Sequence, residues 1–279
     1  MTTEAWPRGA KLDAPRLVRR ITEITGVRLE LDGPGPGGEV GAAYVRWPDG
    51  RRSVLSEGRT RTGALLDLAR AAGVPTARQE LSAHIDGLRL IVRQRLPGRP
   101  PATVDAPLLH RMIALNDRLA GLLADRPSVP AVDLHLLRDG PSFCLHDPLA
   151  VHSRRTARLL AWVREVGAAV PPIGGYDLVH LDFHPANVLV DGGRITGVVA
   201  WDGAARGDRH LDLVTLRFHV MRRAPHLRGV LDERLAGVDP GRLRAYWAHV
   251  SLRQVDWSIR HHEPGTVDHW LDVAEQGMR

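Results

Sequence analysis

The sequence contains very little cysteine and has no long apolar run. Its one cysteine, Cys144, excludes a disulfide framework within the chain and a zinc site built from cysteines. No apolar run approaches the ~20 residues that a membrane-spanning helix needs. Residues 1–7 lack the basic and apolar regions of a secretory signal. These absences predict a cytoplasmic protein without a membrane partner.

Lysine is almost absent from the basic residues. Of the 38 lysines and arginines only Lys11 is a lysine, and the arginines are scattered along the chain. Proteins that bind nucleic acids usually concentrate their basic residues on one stripe and interleave aromatic side chains for stacking. The net charge of +6 therefore does not predict a nucleic-acid partner.

The sequence pattern divides the chain into a β-rich part and an α-rich part. Alternating or apolar stretches typical of strands occupy residues 27–31, 41–47, 52–55 and 88–93. Helical spacing of apolar residues covers residues 60–72 and most of the chain after Asp105. The segment 97–101, Pro-Gly-Arg-Pro-Pro, separates the two parts. We therefore predict an α+β fold with a small β-rich lobe, residues 1–96, and a larger, mostly α-helical lobe, residues 97–279.

A polar loop leads into a predicted hairpin of the larger lobe. Residues 178–191 read Leu-Val-His-Leu-Asp-Phe-His-Pro-Ala-Asn-Val-Leu-Val-Asp, and the hairpin turns at Asp191-Gly192-Gly193. Phosphoryl transfer needs a carboxylate that accepts the proton of the substrate hydroxyl, and oxygen ligands for magnesium. Asp182 can supply the carboxylate, and Asn187 can supply a neutral ligand. The alternative is an ordinary polar turn in which both side chains bond to the backbone.

Two further motifs follow this loop. The hairpin ends in Val198-Val199-Ala200-Trp201-Asp202, and Gly207-Asp208-Arg209-His210-Leu211-Asp212 comes next. Together with His-x-Asp-x-His-Pro-x-Asn, these motifs resemble the aminoglycoside phosphotransferase family of the eukaryotic-like kinase superfamily. The resemblance implies a two-lobed protein-kinase-like fold that binds ATP (or GTP) and Mg²⁺ in its cleft. It also implies that a hydroxyl of a small molecule is the phosphate acceptor.

Positions that match the family's motifs imply roles for individual residues of this sequence. Asp182 takes the place of the catalytic base, and Asn187 takes that of a magnesium ligand. His180 and Asp212 take the places of residues that support the catalytic loop through hydrogen bonds.

The N-terminal part contains features that fit nucleotide binding. A glycine-rich turn between two predicted strands includes Gly35, Gly37 and Gly38, and glycine lets backbone N–H groups approach phosphates closely. An ordinary Gly/Pro loop remains the alternative, and the turn lacks the lysine of a Walker A motif. The segment 90–96, with Gln94 and Leu96, is predicted to present a backbone amide to adenine.

Two departures from the family pattern affect the expected activity. The family usually has a lysine on the third strand and a glutamate on the following helix, which together hold the nucleotide phosphates. Here Ser56 stands at the lysine position, and the helix offers only Asp67. Arg46 and Arg93 are both open as substitutes for the lysine.

The second departure concerns the magnesium ligand at the end of the hairpin. The family usually has Ile-Asp-Trp there, and its aspartate corresponds to Ala200. In extended backbone, residues two apart share a face, so Asp202 is predicted to replace it as the metal ligand. A pseudokinase that binds a nucleotide or ligand without transfer is the alternative.

The acceptor is predicted only as a class. The C-terminal segment carries the acidic residues Asp256, Glu263, Asp268, Asp272 and Glu275. They favour a cationic antibiotic of the aminoglycoside or basic peptide type, whereas a solvated helical face explains them equally well. A metabolite such as a sugar, nucleoside or amino alcohol is the alternative acceptor, and the protein is expected to be a monomer or a homodimer.

Overall fold

The computed structural model of the chain describes residues 12–35, 41–59 and 61–278. The strands are β1 (Glu30–Pro34), β2 (Ala43–Arg46), β3 (Arg52–Glu57), β4 (Gln79–Ile85), β5 (Leu88–Gln94), β6 (Asp177–Val179), β7 (Val188–Asp191), β8 (Arg194–Val198) and β9 (Ala205–Gly207). The α-helices are α1 (Ala14–Thr25), α2 (Thr62–Ala71), α3 (Ala106–Asp117), α4 (His146–His152), α5 (Arg154–Ala169), α6 (His210–Arg223), α7 (Arg228–Leu235), α8 (Pro240–His261) and α9 (Pro264–Ala274).

The described residues form two compact units. One, the sheet unit, contains the described residues of the ranges 12–35, 41–59 and 61–100, together with Val188–Asp202. The other, the helical unit, contains Pro101–Asn187 and residues 203–278. The predicted α+β class, with a small antiparallel sheet and a larger helical part, is confirmed.

Five strands of the described sheet unit form one antiparallel sheet in the order β1-β2-β3-β5-β4. Val54 of β3 lies opposite Arg93 of β5, and Ser56 lies opposite Ile91. Because opposed residues and residues two apart point to the same side, these four side chains share one face of the sheet. The other face is apolar, since it carries Leu55 and the neighbours of Ile91.

Helix α1 covers the apolar face of this sheet. Its buried residues Leu17, Val18 and Ile21 pack in one cluster with Leu55 and Val92. The patterns discussed above did not predict this helix, although its signals are ordinary. Asp13 accepts a hydrogen bond from the first turn, Pro15 stands in that turn, and Gly26 ends the helix in a left-handed conformation.

The predicted hairpin is formed by β7 and β8, and it belongs to the sheet unit. Gly192 and Gly193 both have positive φ angles, of 52° and 74°, as a two-residue type I′ turn requires. Sequence reasoning had placed the hairpin with the helices. The segment before residue 100 supplies its partner instead, because Arg99 pairs with Val190 and the Thr196 hydroxyl donates to the Pro97 carbonyl at 2.6 Å. Local sequence patterns cannot predict a pairing between segments that lie so far apart in the chain.

The helical unit is organised around α8. This helix packs against α4, α5, α6 and α9, and aromatic side chains fill the junctions. The ring of Phe218 lies 5.0 Å from that of Trp247 and 5.4 Å from that of Trp270. Strand β6 pairs with β9, which brings the start of the polar loop beside the start of α6. No helix among the described residues is long and apolar enough to cross a membrane.

Candidate active site

The polar loop holds Asp182 and Asn187 together in the helical unit. A short 3₁₀ turn, Pro185–Asn187, folds the loop back on itself. The Nδ2 amide of Asn187 donates to Oδ2 and to the backbone carbonyl of Asp182, both at 2.8 Å. The side chain of Asp182 remains 33% exposed. The amide therefore fixes a carboxylate that stays accessible, which is the geometry that a general base needs.

Asp212, in the first turn of α6, braces the loop from below. It is fully buried, and its carboxylate accepts the N–H groups of His180 at 2.8 Å and of Leu181 at 2.9 Å. Burial raises the pKa of Asp212 to about 7, although the two N–H donors favour its charged form. Leu181 has a left-handed φ of 68°, and the bond to Asp212 holds it there. Nδ1 of His180 accepts the N–H of Asp182 at 3.1 Å.

Sequence reasoning missed Arg253 of α8, which contacts the same loop. Its Nη2 lies 3.0 Å from Oδ1 of Asp182, and its Nη1 donates to the carbonyl of Leu181. Burial raises the pKa of Asp182, but Arg253 and His184 outweigh it and hold that pKa well below its ordinary value. Asp182 is thus ionised at neutral pH. No local signal distinguishes Arg253 from the many other arginines of the sequence.

A pair of stacked histidines lies beside this carboxylate. The rings of His184 and His219 are 4.1 Å apart and nearly parallel, and the His219 ring also lies 5.0 Å from that of Trp270. Burial, with the neighbouring His184, holds the pKa of His219 well below its ordinary value. His219 is therefore neutral near pH 7 and adds no charge to the loop.

The C-terminal acidic residues are engaged in ion pairs. Arg155 of α5 contacts Asp268 at 3.5 Å, Asp272 at 2.7 Å and Glu275 at 2.9 Å. Asp256 is fully buried and pairs with Arg260 at 2.8 Å. Arg155 offsets only one of the three negative charges around it, so the expectation that these carboxylates bind a cationic acceptor stays a prediction.

In the sheet unit, the ends of the glycine-rich turn are described. The N–H of Gly35 donates to the Ala42 carbonyl at 2.8 Å, and a Cβ at Gly35 would lie 2.9 Å from that carbonyl carbon. Only glycine permits this approach. Gly37 and Gly38 lie outside the described residues, so their predicted contact with phosphates stays a prediction.

The two residues predicted to meet adenine differ in their backbone bonding. The N–H of Gln94 already donates to the Arg78 carbonyl at 2.9 Å, and that of Arg95 donates to the Arg52 carbonyl at 3.2 Å. The N–H of Leu96 has no acceptor in the described part of the chain. Of the two predicted residues, Leu96 is thus the one whose amide is available to a ligand.

The structure shows different surroundings for Arg46 and Arg93, the two candidate substitutes for the family's lysine. Arg46 is 44% exposed and pairs with Asp32 at 2.7 Å. Arg93 is only 14% exposed, and its Nη2 lies 2.9 Å from Oδ1 of Asp202. Asp67 on α2 is exposed and pairs with Arg70 of the same helix, so it does not replace the helix glutamate.

Asp202 does not occupy the place that sequence reasoning gave it. Strand β8 ends at Val198, Ala200 has a left-handed φ of 65°, and Trp201–Gly203 is a 3₁₀ turn. The backbone is therefore not extended here, and the argument that Ala200 and Asp202 share a face is wrong. Oδ1 of Asp202 instead accepts from Arg93 and, at 3.1 Å, from the hydroxyl of Thr62.

The contacts of Asp202 affect whether the described residues can bind a magnesium ion. Among the described residues, no group of three or more His, Cys, Asp or Glu side chains could hold a metal ion. The guanidinium of Arg93 on Asp202 opposes a second cation at the same oxygen. Asn187 can offer its amide oxygen, but the residues present do not form a built magnesium site.

Comparisons with known proteins agree on one family. A model of the phosphotransferase enzyme family, APH, matches residues 38–246. Hygromycin-B 4-O-kinase of Escherichia coli is 34% identical over 95 residues, which span 29% of this chain and 25% of that protein. The match to this curated relative thus covers only a quarter of its length.

Several solved structures share the fold. A thermostable mutant of aminoglycoside phosphotransferase APH(4)-Ia, in a complex with ADP and hygromycin B, superposes with a TM-score of 0.64 at 19% identity, covering 95% of this chain and 98% of the other. Spectinomycin phosphotransferase APH(9)-Ia gives 0.64 at 11% identity with the same coverage. Amicoumacin kinase hAmiN gives 0.61 at 15% identity, covering 95% and 94%. Because the family model covers most of the chain and the folds agree, this chain belongs to the phosphotransferase enzyme family APH, as the motifs predicted.

Proposed function

We propose that the protein is an ATP-dependent O-phosphotransferase that phosphorylates a hydroxyl of an antibiotic. The observation that carries this proposal is the catalytic loop, where Asn187 and Arg253 hold the ionised carboxylate of Asp182. A carboxylate that is both fixed and accessible can accept the proton of an acceptor hydroxyl during phosphoryl transfer. Family membership supplies the reaction class.

The roles divide between the two parts of the chain. Asp182 accepts the proton, and Asp212 and His180 hold the loop that carries it. Residues 1–96, together with the hairpin, bind the nucleotide, with Leu96 presenting its N–H to adenine and the glycine-rich turn presenting N–H groups to phosphates. Residues 97–279 outside the hairpin bind the acceptor. Asn187 is the proposed residue that would offer its amide oxygen to a magnesium ion bound with the nucleotide, and such an ion would neutralise phosphate charge.

The acceptor is proposed from the fold neighbours and from the charges at the loop. Hygromycin B, spectinomycin and amicoumacin are the antibiotics that those neighbours are named for, and each is a candidate here. Arg253 beside the base opposes a highly charged polycation, whereas the three carboxylates around Arg155 keep a net negative charge that favours a cation. The charges of the described residues are therefore compatible with both cationic and neutral antibiotics.

Transfer to a panel of acceptors tests the function. The protein is incubated with ATP and Mg²⁺ and each of these antibiotics, with a sugar, a nucleoside and an amino alcohol in parallel arms. ADP release and the acceptor mass are followed together. An added phosphoryl group on an antibiotic, lost in the Asp182→Asn variant, is the expected result. Phosphorylation of a metabolite, with no phosphorylation of any antibiotic, would show that the acceptor is the metabolite.

A nucleotide-binding protein without transfer is the second candidate. Ala200 in the place of the usual aspartate, and Asp202 paired with Arg93, both favour it. ATP binding in a titration, without phosphoryl transfer to any acceptor, would support this candidate against the first.

A further inference from the structure

The sheet face that does not contact α1 carries an unusual set of arginines. Arg89, Ile91 and Arg93 alternate along β5, so all three point to the face that also carries Ser56. The guanidinium of Arg93 is largely buried, and its Nε finds no acceptor among the described residues. Buried donors are nearly always paired in folded proteins. The orphaned N–H group therefore indicates an acceptor beyond the described residues, and a bound ligand can supply it.

A second buried donor belongs to the same sheet unit. Nε of Arg61, which directly precedes α2, is buried and also lacks an acceptor among the described residues. Burial and the neighbouring charge of Arg59 lower the pKa of Arg61, which is the effect of positive charge without a compensating anion.

A cavity beside Gly58 is lined by Arg61, while Arg93 contacts the same glycine without lining the cavity. The cavity has a volume of about 350 Å³ and is lined by Gly58, Arg59, Arg61 and Arg89. A Cβ at Gly58 would lie 2.7 Å from Cγ1 of Ile91, 3.0 Å from Nη2 of Arg93 and 3.2 Å from Oδ1 of Asp202. The same glycine thus borders both the cavity and the Arg93–Asp202 pair.

The charges at Gly58 do not balance. Four guanidinium groups surround the glycine, and Asp202 is the carboxylate that contacts one of them. Guanidinium groups are well suited to phosphate oxygens because their N–H groups bind them in pairs. A neutral ligand could pair these donors but would leave the excess positive charge, and a cationic ligand would add to it.

We propose that this arginine pocket binds the phosphate groups of the nucleotide, with Arg61 and Arg93 as its main donors and Asp202 as the residue that positions Arg93. The proposal rests on the proposed function for the identity of the ligand, since free phosphate or polyphosphate shares the same chemistry. It assigns to arginine the positive charge that Ser56 cannot supply.

Binding titrations with the full chain test the pocket. ATP, adenosine and inorganic tripolyphosphate are titrated separately, without added metal, into the unmodified protein and into Arg61→Met and Arg93→Met. Each variant is expected to raise the Kd for ATP about tenfold, because a charge-assisted hydrogen bond is lost. The Kd for adenosine should not change. Arg46→Met, which removes an exposed arginine of the same sheet, is the matched control and should leave ATP binding unchanged.

Competition between ATP and tripolyphosphate distinguishes nucleotide phosphates from free polyphosphate as the ligand of the pocket. Tripolyphosphate that competes with ATP and weakens in both variants would support the pocket as the nucleotide phosphate site. Tripolyphosphate that binds in the pocket without competing with ATP would overturn the assignment to the nucleotide. Because the Arg61 guanidinium makes no hydrogen bond or ion pair with the described residues, its variant stays informative even if Arg93→Met fails to fold. Unchanged ATP affinity in Arg61→Met would overturn the proposal, whereas absent acceptor phosphorylation would count only against the proposed function.

Discussion

Ala200 is the position where a single side chain has the largest expected consequence. Its φ of 65° lies in the left-handed region, which aspartate, asparagine and glycine adopt more readily than alanine. The backbone therefore has the conformation that suits an aspartate, while the residue present has no oxygen to offer a metal. At residue 200 the backbone conformation thus fits an aspartate, whereas the alanine side chain provides no metal ligand.

Ala200→Asp is expected to raise magnesium-dependent phosphoryl transfer about tenfold, because a correctly placed carboxylate improves transition-state stabilisation by at least ~1.4 kcal/mol. Ala200→Gly is the matched control. It relieves the left-handed strain, adds no ligand, and should leave transfer unchanged while stabilising the fold by about 1 kcal/mol. Steady-state rates over a magnesium series measure both variants. Equal gains in the two variants would assign the effect to backbone conformation instead.

Asp182→Asn tests the proposed base. The amide still accepts from Asn187 but cannot accept a proton, so transfer should fall ~10²–10⁴-fold while ATP affinity stays nearly constant. Single-turnover rates and a nucleotide titration measure the two quantities. Asp268→Asn, at an exposed carboxylate of the same unit, serves as the control and should transfer normally. A loss below tenfold at Asp182 would remove it from this role.

At the scale of elements, α8 determines the state of the catalytic loop. The helix carries Arg253 to Asp182 and to the carbonyl of Leu181, and α6 carries Asp212 to the N–H groups on the other side. The loop is thus held between two helices that are packed against each other. Its carboxylate is ionised because of a residue 71 positions away in the chain.

Arg253→Met is expected to move the acid limb of the kcat/KM profile to higher pH. Arg253 holds the pKa of Asp182 down, and a base must be deprotonated to act, so its removal leaves Asp182 protonated over a wider acid range. Activity should fall more at acid than at alkaline pH. Arg253→Lys retains the charge and should keep the limb near its original position. An unshifted limb in Arg253→Met, with reduced activity throughout, would assign Arg253 a structural role only.

At the scale of the whole molecule, two buried carboxylates oppose each other in the pH dependence of stability. Burial raises the pKa of Asp208, but hydrogen bonds from His210 and Tyr246 outweigh it and hold this pKa well below its ordinary value. Asp212 has the opposite shift, to about 7. Asp208 therefore stabilises the fold above about pH 4 and loses that contribution as the pH falls further. The contribution of Asp212 is fully present below about pH 4 and is lost as the pH rises towards 7.

Denaturation over a pH series should reveal both groups. Between about pH 7 and pH 4, Asp212 is expected to raise the free energy of unfolding as the pH falls, whereas the buried His219 and His249, whose pKa values burial lowers, are expected to reduce it. Asp212→Asn should therefore make this first slope steeper in the direction of acid destabilisation, and Asp208→Asn should weaken the further loss below about pH 4. The slopes are the readout, since either variant also changes stability at every pH. An unchanged first slope in Asp212→Asn would show that another group is responsible.

Much of the architecture follows from local signals in the sequence. The turn at residues 48–50 predicts β3, the apolar run 88–93 predicts β5, the two glycines at 192 and 193 predict the hairpin turn, and helical spacing predicts α5 and α8. The motif around Asp182 predicts the catalytic loop and the hairpin that follows it. Helix α1 was also within reach, since Asp13, Pro15 and Gly26 mark its ends. These features depend on neighbours within a few residues, so the local sequence is enough to predict them.

The sequence alone determined the family, the antiparallel sheet and the residues of the catalytic loop, because short-range backbone preferences and motif spacing are written along the chain. The tertiary structure decided which charges meet. It paired Arg253 with Asp182, Arg155 with the C-terminal carboxylates and Arg93 with Asp202. An arginine carries the same charge and the same reach at every position, so its partner is selected only when helices and strands far apart in the chain are packed together.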